Sequence, residues 1–266
     1  MNLPAALQAG SLLQFAYSVF KNHQPNYDGM AHDGFNVIQT IYANDLATDL
    51  SPNIDPIKDV VSIGFVARSA AAAGEYVIVI RGTEGILEWL QDLKFLPEPF
   101  ATVPGSGLTE DGFTDMYNSF RVAPDPNSAR LTPSLGGLLG DTVSKLTICG
   151  HSLGSALATL LALDVVVNTP YKQPSLITFA SPRVGDLHFS SFFNSVVPDC
   201  VRIANRMDIV THVPLPPLYI HVGDENELNP GGTVENNVLC EHAMDTYMFL
   251  LAPGANQLDP QCVPKP

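Results

Sequence analysis

Apolar residues near the start of the chain recur at helical spacing. Ala5, Ala9, Leu12, Leu13, Ala16 and Phe20 fall on one face, which predicts a packed amphipathic helix. A polar stretch containing Asn, Asp and Gly follows over 22–36. FNVIQTIYAN (35–44) and VVSIGFVARS (60–69) then read as strands. A turn over 69–75 leads into YVIVIRGT (76–83), a strong strand with a glycine near its end. Pro- and Gly-rich residues 97–107 predict a loop, and GFTDMYNSFR (112–121) predicts a helix. In the second half, the short apolar strands LTIC (146–149), SLITFASP (175–182) and CVRIAN (200–205) accompany a helix over 155–168. Residues 213–240 are rich in Pro, Gly, Asn and Glu and read as loop-dominated, ahead of a last helix over 243–252. Apolar strands alternating with helices predict an α/β fold, a mostly parallel central sheet with helices on both faces. With no internal repeat and no sharp linker, 1–266 reads as one domain.

Composition narrows the function classes. The chain is 45% hydrophobic and 15% charged, enough for a sizeable core and unlike a disordered protein. Thirteen Lys and Arg against 27 Asp and Glu give a net charge of −14. Such a surface repels phosphate backbones and anionic membranes, so no nucleic-acid partner is expected. No run of 18 apolar residues occurs, so no transmembrane segment is expected. The N-terminus has no basic residue before Lys21, and Gln8, Ser11 and Gln14 interrupt it, so no signal peptide is visible. None of the four cysteines (149, 200, 240, 262) forms a CxxC pair, which gives no reason to expect zinc. Cys149 closes an apolar run and reads as a buried small hydrophobe. The other three are candidates for pairing, and spacing does not choose among the pairings.

The candidate chemistry centres on Gly150-His151-Ser152-Leu153-Gly154, a G-x-S-x-G pattern between an apolar strand and a helix. An abrupt strand-to-helix turn leaves the serine hydroxyl exposed at the C-terminal edge of a sheet, and small residues two positions to either side avoid collision. A serine nucleophile needs a base, and the base needs an orienting acid. In this fold class the acid follows the serine in the chain and the histidine comes last. Asp186, Asp199 and Asp208 are the candidate acids; His188, His212, His221 and His242 are the candidate bases. Asp208 lies just past the strand VRIAN, and His242 lies between the loop-rich region and the last helix. His212, four residues from Asp208, is the main rival base. For the oxyanion, Leu153 N–H and the Thr83 loop after YVIVIRG supply candidate donors.

The stretches VIVIRGTEGILEWLQDL, GHSLGSALATL, ITFASPRVGD, RIANRMDIVTHVP and EHAMDTY together resemble the class 3 lipase family, in family order over roughly 76–247. That resemblance implies an α/β-hydrolase fold, with Ser152 as nucleophile, Asp208 as acid and His242 as base. It also implies oxyanion donors at Thr83 and Leu153, with Asp92 holding the Thr83 side chain. Where the family often has a histidine before Gly-Phe, this chain has Asp111. Ile86, Trp89, Leu90 and Leu93 fall at i, i+3, i+4 and i+7 of an amphipathic segment carrying the only tryptophan. The resemblance makes 84–96 the candidate for a short helical lid that binds substrate when it opens.

The expected function is carboxylic ester hydrolysis, first of all as a triacylglycerol lipase. The expected partner is a lipid or ester substrate at an oil–water interface, with no metal or organic cofactor. A short-chain or feruloyl-type esterase, a phospholipase and an acyltransferase are the neighbouring alternatives. A catalytically silent lipid-binding protein is the alternative from another class, and such a protein is expected to lose a triad member. Lipases that act on external fat are often secreted.

Overall fold

The computed structural model describes residues 1–24, 26–44, 60–83, 85 and 95–265. Helix α1 (Leu3–Lys21) starts with the Asn2 side chain accepting from Ala5 N–H at 3.3 Å, and Pro4 sits in its first turn. Its buried face comprises Ala6, Ala9, Leu12, Leu13, Ala16 and Val19, one step round from the expected face at Ala5 and Phe20.

Strands β1 (Ala31–His32), β2 (Phe35–Asn44), β3 (Val60–Ser69) and β4 (Glu75–Ile80) run antiparallel to one another. From β4 onward the pairing is parallel, through β7 (Lys145–His151), β8 (Ser175–Phe179), β9 (Cys200–Asn205) and β10 (Asp224–Leu228). The eight strands form one sheet in the order β1-β2-β3-β4-β7-β8-β9-β10. β5 (Pro97–Pro99) and β6 (Leu108–Glu110) pair separately.

Alternating residues of the central strands feed two cores. Val77, Val79, Cys149, Phe179 and Ile203 pack with α1 and with α7 (Met244–Leu251). Ile78, Ile80, Ile148 and Leu176 pack on the other face, beneath α4 (Leu153–Asn168). Residues 153–166 of α4 are buried without a break, as a helix clamped between the sheet and α2 (Asp111–Asn118), α3 (Leu131–Leu139) and α5 (Leu187–Val196) must be. The expected layering, helices on both faces of the sheet, is observed.

Several boundaries differ from the sequence reading. β4 stops at Ile80 rather than at 83, and β7 runs on to His151, so both strand ends reach the site. The region read as loop over 97–107 contains β5, and the loop-dominated 213–240 contains β10 and the start of α6 (Val238–His242). β10 reads DENEL, too polar for a strand pattern, and is held to β9 through its backbone at the sheet edge. α3 and α5 gave no clear helical signal, since α3 carries a proline and two glycines and α5 mixes serines with phenylalanines.

Candidate active site

A single residue turns the chain from β7 into α4. Ser152 adopts φ 61° and ψ −131°, a left-handed conformation that costs energy in any residue but glycine. The surroundings hold it there. Ser152 N–H donates to Phe179 O at 2.9 Å, and Ser155 N–H donates to Ser152 O at 2.8 Å. A Cβ at Gly150 would lie 2.2 Å from Gly154 O, and one at Gly154 would lie 2.3 Å from Ile80 O. Both glycines of the motif are therefore required by backbone packing, as expected.

The turn aims the Ser152 hydroxyl at His242, with Oγ to Nε2 at 2.7 Å. His242 Nδ1 faces Asp208, 2.9 Å from Oδ2 and 3.1 Å from Oδ1. All three side chains are buried. Since a carboxylate only accepts, Nδ1 carries the imidazole proton and Nε2 receives the serine hydroxyl's hydrogen bond. Asp208 accepts two further bonds, from Val210 N–H at 3.0 Å and from the Tyr247 hydroxyl at 2.8 Å. Burial and the charge of Asp208 push the Tyr247 phenol up, so it stays protonated and donating. Tyr247 also accepts from Asn205 N–H, and the Asn205 side chain donates to Glu241 O beside His242. Tyr247 and Asn205 thus complete the acid's surroundings, and neither carried a sequence signal for that place.

The rival residues lie elsewhere. His212 is exposed and bonds to Arg206 O at 3.3 Å. His188 is exposed and bonds to Gly105 O. His221 donates to Thr211 O, and burial pushes its pKa down to about 3. Asp186 caps α5, and Asp199 accepts from Ser175.

The segment that carries His242 is pinned from several sides. Asn237 caps α6 by accepting from Cys240 N–H, and the Thr246 hydroxyl donates to Cys240 O. Cys240 is disulfide-bonded to Cys262, while Cys149 and Cys200 are free and buried. Of the pairings that the sequence left open, this one tethers helix α6 two residues before His242.

On the other side of Ser152 stands the loop that follows β4. The register pairs Ile80 with Gly150, which brings Gly82 and Thr83 beside the serine. A Cβ at Gly82 would lie 2.8 Å from Ser152 Cβ. Arg81 is buried and fixes this loop, donating to Ser62 O and to Gly82 O, with its guanidinium 3.4 Å over the Phe20 ring. Thr83 Oγ1 accepts from Gly85 N–H at 3.2 Å, and Leu153 opens α4 directly after the serine. Asp92, the expected support for Thr83, lies outside the described residues, as do the lid positions Ile86, Trp89, Leu90 and Leu93. Asp111, at the departure from the family pattern, is the first residue of α2.

A cavity of about 470 Å³ opens beside His242 and Thr83, with Gln14, Tyr17, Lys21 and Asp245 in its walls. Among the described residues no group of His, Cys, Asp and Glu is arranged to hold a metal ion, and no helix is long and apolar enough to cross a membrane.

This is the fold of the α/β-hydrolases, where a serine elbow follows a central parallel strand and the acid precedes the base in the chain. A lipase of Rhizopus niveus shares it, with a TM-score of 0.64 at 23% identity over 85% of this chain and 80% of that one. A triacylglycerol lipase whose catalytic centre is described as a serine protease triad aligns with a TM-score of 0.61 at 26% identity, over 84% of this chain and 78% of that one. Residues 77–217, just over half of the chain, match the model of the family described as Lipase (class 3), and the chain belongs to that family. Among curated relatives, phospholipase A1-II 7 of Oryza sativa subsp. indica is 35% identical over 57% of this chain and 46% of its own length. A lipase of Rhizomucor miehei is 34% identical over 60% of this chain and 43% of its own length. The chain spans about half the length of the curated relatives it matches.

Proposed function

We propose that this protein hydrolyses carboxylic esters as a lipase, with Ser152 as nucleophile, His242 as general base and Asp208 as its orienting acid. The observation that carries the reading is the unbroken line of buried hydrogen bonds from Ser152 Oγ through the imidazole to Asp208. His242 Nε2 takes the hydroxyl proton as Oγ attacks the ester carbonyl. The oxyanion of the tetrahedral intermediate is received by the backbone N–H groups of Leu153 and Thr83, with the Thr83 hydroxyl as a further donor. His242 then passes its proton to the leaving alcohol, giving an acyl-enzyme. Water, deprotonated by the same imidazole, releases the acid and restores the serine. The Asp208 carboxylate stabilises the imidazolium in both halves. The test is Ser152→Ala with a soluble ester such as p-nitrophenyl butyrate. Activity should fall by roughly a thousandfold or more; retention within about tenfold of the parent overturns the assignment.

Triacylglycerol is the first substrate class in this reading, with the apolar positions of 84–96 acting as a lid that opens at an oil–water interface. A phospholipid is the second, and one feature favours it. The cavity beside His242 carries a cation, Lys21, and an anion, Asp245, in its walls. Among the described residues Lys21 makes no ion pair, while Asp245 accepts from Gln14 at 2.6 Å. A zwitterionic headgroup has matching charges, and several relatives are phospholipases A1. Hydrolysis of phosphatidylcholine vesicles at a rate near that of emulsified triolein, and its loss in Lys21→Gln with triolein turnover kept, decides for the phospholipid.

A further inference from the structure

The proposed mechanism does not use His151 or Tyr17, yet both are tied to it. Tyr17 comes from α1, 134 residues before His151 in the chain. Its hydroxyl accepts from Gly82 N–H at 2.8 Å and lies 2.8 Å from His151 Nδ1. His151 Nε2 lies 3.0 Å from the backbone carbonyl of His242. The His151 ring is buried, 4.8 Å from the His242 ring.

Each proton in this chain has one consistent place. The His242 carbonyl only accepts, so His151 Nε2 carries a hydrogen and donates it. Burial and the neighbouring His242 hold the His151 pKa well below its ordinary value, so the ring is neutral and Nδ1 keeps its lone pair. Tyr17 O–H therefore donates to Nδ1, and its oxygen receives the Gly82 N–H. The four bonded groups run in one direction: Gly82 N–H, Tyr17 O–H, the His151 ring and the His242 carbonyl.

We propose that Tyr17 and His151 are positioning residues that lock the oxyanion loop to the segment bearing the general base. At one end the relay fixes Gly82, the residue before the Thr83 donor. At the other it fixes the backbone of His242 itself. Between them it joins the two parts of the site that must sit on opposite sides of the reacting carbonyl. A Cβ at Gly82 would meet the Tyr17 hydroxyl at 2.7 Å, His151 O at 2.8 Å and Ser152 Cβ at 2.8 Å, so all three elements converge on that one residue. Preorganised donors of this kind act on the transition state and leave ground-state binding alone. The neutral state of His151 also matters, because a second cation beside His242 would oppose the imidazolium that each half-reaction forms.

The inference rests on the Ser152–His242–Asp208 reading and is tested apart from it. Tyr17→Phe keeps the ring and removes only the bridging hydroxyl. On p-nitrophenyl butyrate kcat should fall by about 10- to 100-fold, with KM within about threefold. Affinity for phenylboronic acid, whose serine adduct places an oxygen in the oxyanion site, should fall by the same factor as kcat/KM. A purely structural tyrosine would lower the melting temperature without that parallel loss. His151→Phe keeps a planar ring, removes both ring nitrogens from the relay and serves if Tyr17→Phe does not fold. In the double variant the losses should be far from additive, since either change already cuts the same relay. Boronate affinity within twofold of the parent in Tyr17→Phe overturns the relay, and so do additive losses. An inactive Ser152→Ala beside a parent-like Tyr17→Phe rejects the relay alone; an active Ser152→Ala rejects the ester-hydrolase reading first.

Discussion

At the scale of single residues, burial decides which charges the molecule keeps. Glu110 caps α2 by accepting from Phe113 N–H at 2.8 Å, and it is almost wholly shielded from solvent. Burial is the main cause that lifts its pKa from an ordinary 4.5 to about 8, and the adjacent Asp111 adds to it. Between those two values the folded protein holds a proton that the unfolded chain has released. Stability contributed by this group is therefore full below the unfolded value and is lost as pH rises through the folded one. Glu110→Gln keeps an oxygen for the cap and removes the titration. The melting temperature of the variant relative to the parent should rise from pH 5 to about pH 8 and level off above it in thermal scans. A constant offset across that range would show that the group does not titrate in this window. The same residue scale explains what the sequence disclosed of the site. Ser152, Asp208 and His242, which the structure brings within hydrogen-bond reach of one another, were proposed from residue type and place relative to strand ends, with His242 chosen over His212 only through the family resemblance. Tyr247, Tyr17 and Asn205 were not, because their roles depend on which side chains the fold brings face to face.

Secondary-structure elements repeat that contrast. Central strands such as YVIVI were legible because burial on both faces leaves an unbroken apolar run. β10 was not, because an edge strand needs only backbone partners and its five residues are mostly exposed. Helix α6 was hidden for another reason: it is five residues long, fixed by a capping Asn237 and by a disulfide whose pairing no spacing rule selects. That bridge closes a sequence separation of 22 residues, and loop-closure entropy alone gives it a stabilisation of about 3 kcal/mol. It also restrains the chain two residues before His242. Cys262→Ser should therefore lower kcat several-fold while α4 and the central sheet stay folded, as followed by kinetics beside far-ultraviolet circular dichroism. Unchanged kcat in that variant would show that Asn237 and Thr246 are enough to hold the base.

Taken as a whole molecule, the sheet is the device that gathers the site, and its two halves differ in kind. The antiparallel half, β1 to β4, is local hairpin and neighbour pairing. The parallel half brings together strand ends that are far apart in the chain. Helix α1, the first element in the chain, packs with α7, one of the last, in the core on one face of that sheet. Layer order followed from the alternation of strands and helices. Strand order did not, since nothing in the residues says that β4 must neighbour β7.

The relay from Tyr17 through His151 to His242 has a consequence for how the molecule comes into being. Its contacts join positions separated by 134 and 91 residues. Long-range contacts of this kind form late, after local structure has reduced the cost of closing the loops between them. Ester turnover is then a clock for the final act of refolding. After dilution from denaturant with the disulfide intact, activity should return more slowly than helical signal or core fluorescence. The ordering of the first helix against the last sets that delay, so a protein that looks folded to spectroscopy should pass through a stage in which it turns over ester only slowly.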